Sequence, residues 1–231
     1  HAIIEDCRIG NEVYIGHIGN KISNYSIGEG SIISHVFSLT ARQGSSCGVG
    51  TKVSVLDETG GRALRIVRHL PAAVAYCMVF GKADKALMQA WEEAVEIATS
   101  EVEERGYAVV GEGNLIAQSG ILEDISTEHS STIIGVQHLA EGYIGCNVKM
   151  QGSIVSEHFI VENDTHLGNC SLHHCYVGEG CRLDGGFSAH DSLIFANSNL
   201  SNGEASAAFL GPYTVSMHRS TLLIGGAFSF F

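Results

Sequence analysis

Histidine offers the most obvious chemistry in this sequence, which contains twelve of these residues. His158, His174 and His190 follow one another at an even spacing. In a structure built of stacked coils, such evenly spaced residues lie near one line. A row of imidazoles could bind a metal ion or an anion, or could position a general base. The alternative is a surface ladder of like side chains without chemistry.

The stretch from 187 to 219 has the highest density of polar side chains. Its members are His190, Asp191, Asn197, Asn199, Asn202, Glu204 and His218. A histidine beside a carboxylate can be a base held in one tautomer. Neighbours on a strand point to opposite faces, however, so Asp191 is poorly placed to orient His190. Asparagine also suits tight corners without any function. We therefore treat Asn197, Asn199 and Glu204 as candidate substrate-binding residues only.

Composition and missing motifs exclude several functions. The net charge of −12 argues against nucleic acid and against anionic membrane surfaces as partners. The sequence has no P-loop, no GxGxxG that opens a helix, no GxSxG and no HExxH. Its seven cysteines are odd in number and form no CxxC pair, which predicts scattered free thiols and a reducing compartment such as the cytoplasm. We expect neither a zinc knuckle nor a permanently bound cofactor.

A six-residue repeat must position these side chains. Aliphatic residues occur at Ile9, Ile15, Ile27 and Ile33, and only Lys21 breaks the row. Glycine follows the first three of these isoleucines. The period fits neither an α-helix nor a two-faced strand, but it is typical of a parallel β-helix, in which short strands meet at corners.

The same pattern returns in the second half of the chain. Val148, Ile154 and Ile160 keep the six-residue spacing, and Gly-Glu-Gly occurs at 28–30, 111–113 and 178–180. Each copy is expected to place glycine where the backbone turns with positive φ. The chain has 28 glycines and 2 prolines, which suits a fold that repeats tight corners. The sequence therefore predicts an all-β solenoid with roughly 18 residues per coil.

One segment interrupts the repeat. Lys52–Leu56 and Arg62–Val67 flank a Gly-rich turn and predict a β-hairpin. A first helix is expected from Pro71 to the residue before Gly81, and a second helix after a cap at Asp84. The second helix has an apolar stripe formed by Leu87, Trp91, Val95, Ala98 and Val102. We expect the pair of helices to pack against the flank of the solenoid, the alternative being a lid or an oligomer contact.

The predicted organisation has three parts. Residues 1–56 form the first coils, 57–106 the inserted hairpin and helices, and 107–231 the main coils. Both ends of the sequence lack start and stop signals, and we expect the chain to be part of a longer protein. Phe228, Phe230 and Phe231 are candidates to cover the open end of the coils.

These features resemble the hexapeptide-repeat, left-handed β-helix superfamily. It includes acyltransferases and the β-helix halves of sugar nucleotidyltransferases. The sequence is most similar to an uncharacterised hexapeptide-repeat family with the same helical insertion. The stretches that carry this likeness are VSVLDETGGR (53–62), FSAHDSLIFANS (187–198) and NGEASAAFLGPYTVSMHRSTLLIGGAFSF (202–230).

The resemblance implies a homotrimer with sites between neighbouring subunits, and acyl-CoA as a co-substrate. It also implies a histidine base, for which His190 is the first candidate, followed by His174 and His218. The expected function is acyl transfer to a sugar or nucleotide-sugar. The alternatives are a noncatalytic module of a sugar nucleotidyltransferase and a structural or metal-binding solenoid.

Overall fold

The computed structural model describes residues 2–228. Within that range, 22 strands form one large sheet, two more form a small antiparallel sheet, and there are two α-helices. The helices are α1 (Ala72–Phe80) and α2 (Lys85–Glu103). The strands are β1 (Ile3–Glu5), β2 (Arg8–Ile9), β3 (Tyr14–Gly16), β4 (Lys21–Ser23), β5 (Tyr25–Ile27), β6 (Ile32–Thr40), β7 (Lys52–Val53), β8 (Leu64–Arg65), β9 (Ala108–Val110), β10 (Leu115–Thr127), β11 (Thr132–Ile134), β12 (His138–Ile144), β13 (Lys149–Gln151), β14 (Val155–Val161), β15 (His166–Gly168), β16 (Ser171–Val177), β17 (Arg182–Asp184), β18 (Ser188–Ile194), β19 (Asn199–Ser201), β20 (Glu204–Ser206), β21 (Phe209–Leu210), β22 (Val215–Ser216), β23 (Thr221–Leu223) and β24 (Gly226–Ala227).

The parallel pairing joins residues that lie 16 or 17 positions apart in the chain, and we call each such stretch a coil. Ile133 is paired with Met150 one coil later, and Val155 with Ser171. In the central coils, β11, β13, β15, β17 and β19 stack as face A. The first three residues of β12, β14, β16 and β18 stack as face B, and the last three residues of the same strands stack as face C. The predicted all-β class with a helical insertion is confirmed at the level of composition, since the described chain is mostly β, with one large parallel sheet and two helices.

The corner between faces B and C is built from residues in the left-handed region. The fourth residue of each of the four long strands has positive φ: 48° at Glu141, 54° at His158, 49° at His174 and 44° at Asp191. Aspartate and histidine tolerate this region better than most residues that carry a Cβ. The backbone of the corner therefore favours aspartate and histidine in the central coils, although Ala207 and Ile224 occupy the same position, with φ of 48° each, in the coils that follow.

The Gly-Glu-Gly copies form another corner. Their second glycines have φ of 66°, 64° and 67° at Gly30, Gly113 and Gly180, as predicted. The first glycine of a copy serves close packing, because a Cβ on Gly178 would lie 2.8 Å from the backbone nitrogen of Ala196 in the next coil.

The core fills the inside of the coils. Middle residues of face A, such as Met150 and Leu167, are fully buried, as are Leu139 and Leu172 on face B. The first row of isoleucines is buried only in part. Ile27 and Ile33 are inside, but half of the surface of Ile9 is exposed, because it lies in the first coil and is covered by a neighbour on one side only.

The connecting segment between β6 and β9 covers the outside of face C. Outward-facing Tyr143, Ile160, Tyr176, Leu193 and Phe209 form a second apolar cluster. The segment contributes Val53, Val55, Leu64, Ile66, Leu70, Ala75, Met78 and Val79 to the same cluster. The helical insertion thus packs on the flank of the sheet, as expected.

Most local predictions for this segment are confirmed. Lys52–Val53 pairs antiparallel with Leu64–Arg65, and the side chain of Asp84 accepts a hydrogen bond from the backbone N–H of Leu87. Pro71 precedes α1 with an extended backbone, so it lies one position outside the helix rather than at its first residue. The segment leaves the large sheet after Thr40, so the predicted boundary at residue 57 falls inside it.

Of the three phenylalanines expected to cover the open end of the coils, only Phe228 lies in the described range. Phe228 stacks on Phe209 with ring centroids 5.3 Å apart, whereas Phe230 and Phe231 lie outside the described residues. Neither helix in the described range is long and apolar enough to cross a membrane.

Gly142 provides a test of the packing inside face C. A Cβ at this position would lie 2.2 to 2.8 Å from three atoms of the Phe159 ring in the next coil. We expect Gly142→Ala to lower the free energy of unfolding by about 1–3 kcal/mol, because the ring is enclosed in the core. Urea unfolding measures the loss.

Gly168→Ala is the matched control. Gly168 also lies in a strand, but the nearest neighbour of an added Cβ would be at an ordinary 3.5 Å. This variant should change the free energy of unfolding by less than about 1 kcal/mol. Equal stability of the two variants would contradict the packing described for Phe159.

Candidate functional site

The three evenly spaced histidines do not form one row. His158 and His174 stack, with ring centroids 4.8 Å apart and planes 4° apart. His190 instead pairs with His173 and stacks on it at 4.9 Å. The predicted row of three is wrong because the coil that follows His174 is longer by one residue, which places Asp191 rather than His190 at the corner. The sequence carries the sign of this shift: His158 and His174 lie two positions before Ile160 and Tyr176, but His190 lies three before Leu193.

Asp191 does not orient His190. Nδ1 of the imidazole is 3.9 Å from Oδ2 of Asp191, beyond hydrogen-bond distance. Oδ1 of Asp191 accepts a hydrogen bond from the backbone N–H of Ser54 at 2.9 Å, so this carboxylate anchors the connecting segment. Burial, followed by the neighbouring His158, lowers the pKa of His174.

The remaining candidates are spread over different parts of the surface. Asn197 is a corner residue with φ of 59°, and Asn199 lies on face A. Glu204 is exposed on β20, which continues face B, and His218 is exposed between β22 and β23. The structure brings none of them together with His174. Within residues 2–228, no group of three or more histidine, cysteine, aspartate or glutamate side chains is arranged to hold a metal ion.

The structure assembles a different polar group, which we call the Arg68–His69 site. Its members are Arg68, His69, Glu128, Tyr143, Glu162 and Tyr176. Glu128 and Glu162 occupy the same corner position two coils apart, directly after face C. Strands of neighbouring coils are about 4.8 Å apart, so the two glutamates begin roughly 10 Å from one another. Arg68 and His69, adjacent in the connecting segment, reach one glutamate each.

Glu128 is held by several donors. Its Oε1 is paired with the guanidinium of Arg68 and accepts a hydrogen bond from the hydroxyl of Tyr143. The same guanidinium lies 4.3 Å from the centroid of the Tyr143 ring. Burial alone would raise the pKa of Glu128, but the hydrogen bonds from Cys146 and Tyr143 and the charge of Arg68 outweigh it, and the pKa is lowered. Glu128 is therefore an ionised anchor and not a proton donor at neutral pH.

Cys146 and His129 extend this arrangement. The thiol of Cys146 donates to Oε2 of Glu128 at 2.8 Å, and its sulfur is 3.1 Å from Nε2 of His129. Partial burial and the carboxylate of Glu128 raise the pKa of Cys146 to about 11. The sulfur is thus a protonated donor at neutral pH rather than a thiolate nucleophile.

Glu162 carries the second half of the site. Its side chain is only 3% exposed. Oε1 accepts the backbone N–H of His69 at 2.5 Å and the hydroxyl of Tyr176 at 3.4 Å. Oε2 lies 3.1 Å from Nδ1 of His69, yet it is buried and receives no aligned hydrogen bond from the described residues. The imidazole is 60% exposed, so a carboxylate stands behind one ring nitrogen while most of the ring faces solvent.

Two depressions flank the site. The first, of about 580 Å³, lies on the side of Arg68, and its wall includes Arg105, Glu128 and His129. The second, of about 290 Å³, lies on the side of His69. Its wall includes Glu162, Tyr176, Glu179, Phe195 and Pro212. His69 thus combines a buried carboxylate partner with an adjoining cavity.

The Arg68–His69 site was not predicted from the sequence, because its members are far apart in the chain. His69 and Glu162 are 93 residues apart, and Arg68 and Glu128 are 60 apart. The one available signal was the repetition of an outward tyrosine and a corner glutamate, which occurs as Tyr143 with Glu128 and again as Tyr176 with Glu162. It becomes visible only once the coil register is known.

Comparison with known families gives one match. The family described as Domain of unknown function (DUF4954) matches residues 1–231. The chain belongs to the DUF4954 family. No curated protein and no solved structure matches it.

Glu128 gives this DUF4954 protein a predictable pH dependence. A carboxylate whose pKa is lowered in the fold stabilises the native state above its unfolded pKa of about 4.3, and the contribution is lost as the pH falls through the folded pKa. We expect Glu128→Gln to be less stable than the wild type at pH 7, with a difference that shrinks towards pH 3. Urea unfolding over this range measures it. Glu112→Gln, an exposed change beside the same depression, is the control and should show no such trend. A difference in the free energy of unfolding between Glu128→Gln and the wild type that stays constant over this pH range would contradict the assignment.

The thiol of Cys146 should be a slow nucleophile. Since burial and the carboxylate of Glu128 keep it protonated, iodoacetamide at pH 8 should modify the exposed Cys77 before Cys146. Glu128→Gln should accelerate the modification of Cys146, because the charge that raises the thiol pKa is gone. Mass spectrometry of digested samples follows both rates. An unchanged rate at Cys146 in the variant would show that the carboxylate does not control this thiol.

Proposed function

We propose that this DUF4954 chain is a left-handed β-helix of the hexapeptide-repeat type that transfers an acyl group from acyl-CoA to a sugar or nucleotide-sugar. The carrying observation is the pair of His69 and Glu162 beside the cavity of about 290 Å³. Acyl transfer needs a base that takes the proton of the acceptor, and imidazole has the appropriate pKa near neutrality. His69 replaces His190, His174 and His218 as the first candidate base.

The roles in the reaction follow from the contacts. His69 removes the proton of the acceptor group through the ring nitrogen turned away from Glu162. The freed electron pair attacks the thioester carbonyl carbon, the new bond to the acceptor forms, and the carbon–sulfur bond breaks. The imidazolium then gives its proton to the departing thiolate. The buried carboxylate stabilises the imidazolium between these steps.

The distance between His69 and Glu162 suits this role before substrate binds. Nδ1 and Oε2 are 3.1 Å apart but poorly aligned. Catalytic hydrogen bonds are often misaligned in unliganded enzymes and tighten when substrate binds. The exposed imidazole leaves room for such an adjustment.

The size of the cavity limits what one chain can hold. A volume of about 290 Å³ lies at the lower end for small-molecule sites. It accommodates the accepting group rather than a complete nucleotide-sugar or a coenzyme. We infer that a neighbouring subunit of a homotrimer supplies the remaining surface for acyl-CoA.

The second candidate is a noncatalytic module. Its support is the equivalence of Arg68 and His69, because each residue reaches a corner glutamate that is also bonded to a tyrosine. The ion pair of Arg68 with Glu128 joins the connecting segment to the sheet. On this hypothesis His69 also holds the connecting segment against the sheet, and the protein binds no acyl donor.

An acyl-transfer assay separates the two functions. The wild-type protein is incubated with acetyl-CoA and a panel of sugars, amino sugars and UDP- and GDP-sugars, and release of free thiol is followed. For any acceptor that reacts, His69→Gln should lower kcat about 10²–10⁴-fold, the usual contribution of a general base. His190→Gln, an exposed change outside the cavity, should retain the wild-type rate.

Thermal unfolding of the same proteins completes the test. A base is needed for the reaction and not for the fold, so His69→Gln should keep a Tm within a few degrees of the wild type. Absence of transfer with every acceptor, together with a clear loss of Tm in both His69→Gln and Arg68→Gln, would favour the noncatalytic module.

A further inference from the structure

The cavity beside His69 carries an excess of negative charge. Two carboxylates line it, Glu162 in its buried wall and Glu179 at its exposed edge. Among the described residues that line it, His69 is the only one with a basic side chain. The cavity therefore favours a positively charged group over an anionic one.

Of the two carboxylates, Glu162 gives the stronger evidence for a ligand site. Its Oε2 is buried and receives no aligned hydrogen bond from the part of the chain that the structure describes, although the side chain is only 3% exposed. A buried acceptor left without a donor costs free energy of about 1–3 kcal/mol, more for a charged group. Oε2 faces only the misaligned imidazole of His69, at 3.1 Å, so this carboxylate of the cavity wall can accept a further donor from a ligand.

The rest of the wall fits a cation on a compact scaffold. Tyr176 and Phe195 are neighbours, with ring centroids 5.6 Å apart, and Leu70 and Pro71 add apolar surface. An ammonium group offers three donors, enough to reach Glu162 and a second acceptor at the same time.

We propose that this cavity binds a primary ammonium group, such as that of an amino sugar, which makes an amine rather than a hydroxyl the accepting group. The bound ammonium group first loses one proton to solvent, and His69 takes a second proton from the nitrogen as it bonds to the acyl carbon and passes it to the departing thiolate. The assignment of the amine as acceptor rests on the proposed acyl transfer, whereas the binding of the ammonium group does not. Binding and transfer can therefore be tested apart.

Isothermal titration at pH 7 tests the binding with matched hexoses. Glucosamine, glucose and N-acetylglucosamine share one ring and differ in the charge at a single position. We expect glucosamine to bind at least tenfold more tightly than the two neutral sugars, and added salt to weaken its binding because the contact is ionic. Equal affinity for glucose, or no measurable binding of glucosamine, would overturn the proposal.

Protein variants locate the site. Glu179→Gln is an exposed change that should preserve the fold and weaken glucosamine binding severalfold, and Glu162→Gln should weaken it more. Glu204→Gln, which removes an exposed carboxylate outside the cavity, is the control and should bind as the wild type does. Unchanged binding in Glu179→Gln and in folded Glu162→Gln would place the ammonium site elsewhere and overturn the assignment.

The outcomes separate this inference from the proposed function. If glucosamine binds but is never acylated, the proposed transfer reaction is contradicted and the ammonium site is supported. If a hydroxyl acceptor is acylated and the amine is not bound preferentially, the transfer reaction is supported and the ammonium site is overturned.

Discussion

The corner geometry is the constraint on which the rest of this structure depends. Each central coil must bend between its flat faces, and it bends through residues with positive φ. Glycine, asparagine, aspartate and histidine accept this backbone at the lowest cost. Once the corners are set, the strands stack in register, the aliphatic residues between corners point inward, and a continuous core follows.

The same constraint explains why polar residues crowd into the chain without forming a site. His158 and His174 are corner residues that stack because they occupy the same position in neighbouring coils. Asn197 and Asn202 are corner residues as well. Their residue types satisfy the backbone first, so their frequency is weak support for chemistry. In a repeating structure, an even spacing of like residues follows from the repeat itself and is not evidence for a function on its own.

The chemically distinctive group arises where the repeat is interrupted. The outside of face C is apolar and would be exposed without the segment between β6 and β9. That segment carries Arg68 and His69 to the edge of the covered surface, where the corner glutamates are half-buried or buried. Arg68 neutralises Glu128, whereas Glu162 faces the largely exposed imidazole of His69. This difference between two otherwise equivalent positions is what supports a catalytic role for one of them.

By itself, the sequence determined the repeat, the glycine corners, the β-hairpin, the cap at Asp84 and the stripe of α2, because each depends on residues close together in the chain. Only the tertiary structure decided the register of the coils, since a coil that is longer by a single position moves His190 from the column of His174 to that of His173. Only the tertiary structure brought His69 to Glu162, because that contact depends on how the connecting segment folds back across face C. Local patterns fix local geometry, whereas contacts between distant segments depend on the packing of the whole chain.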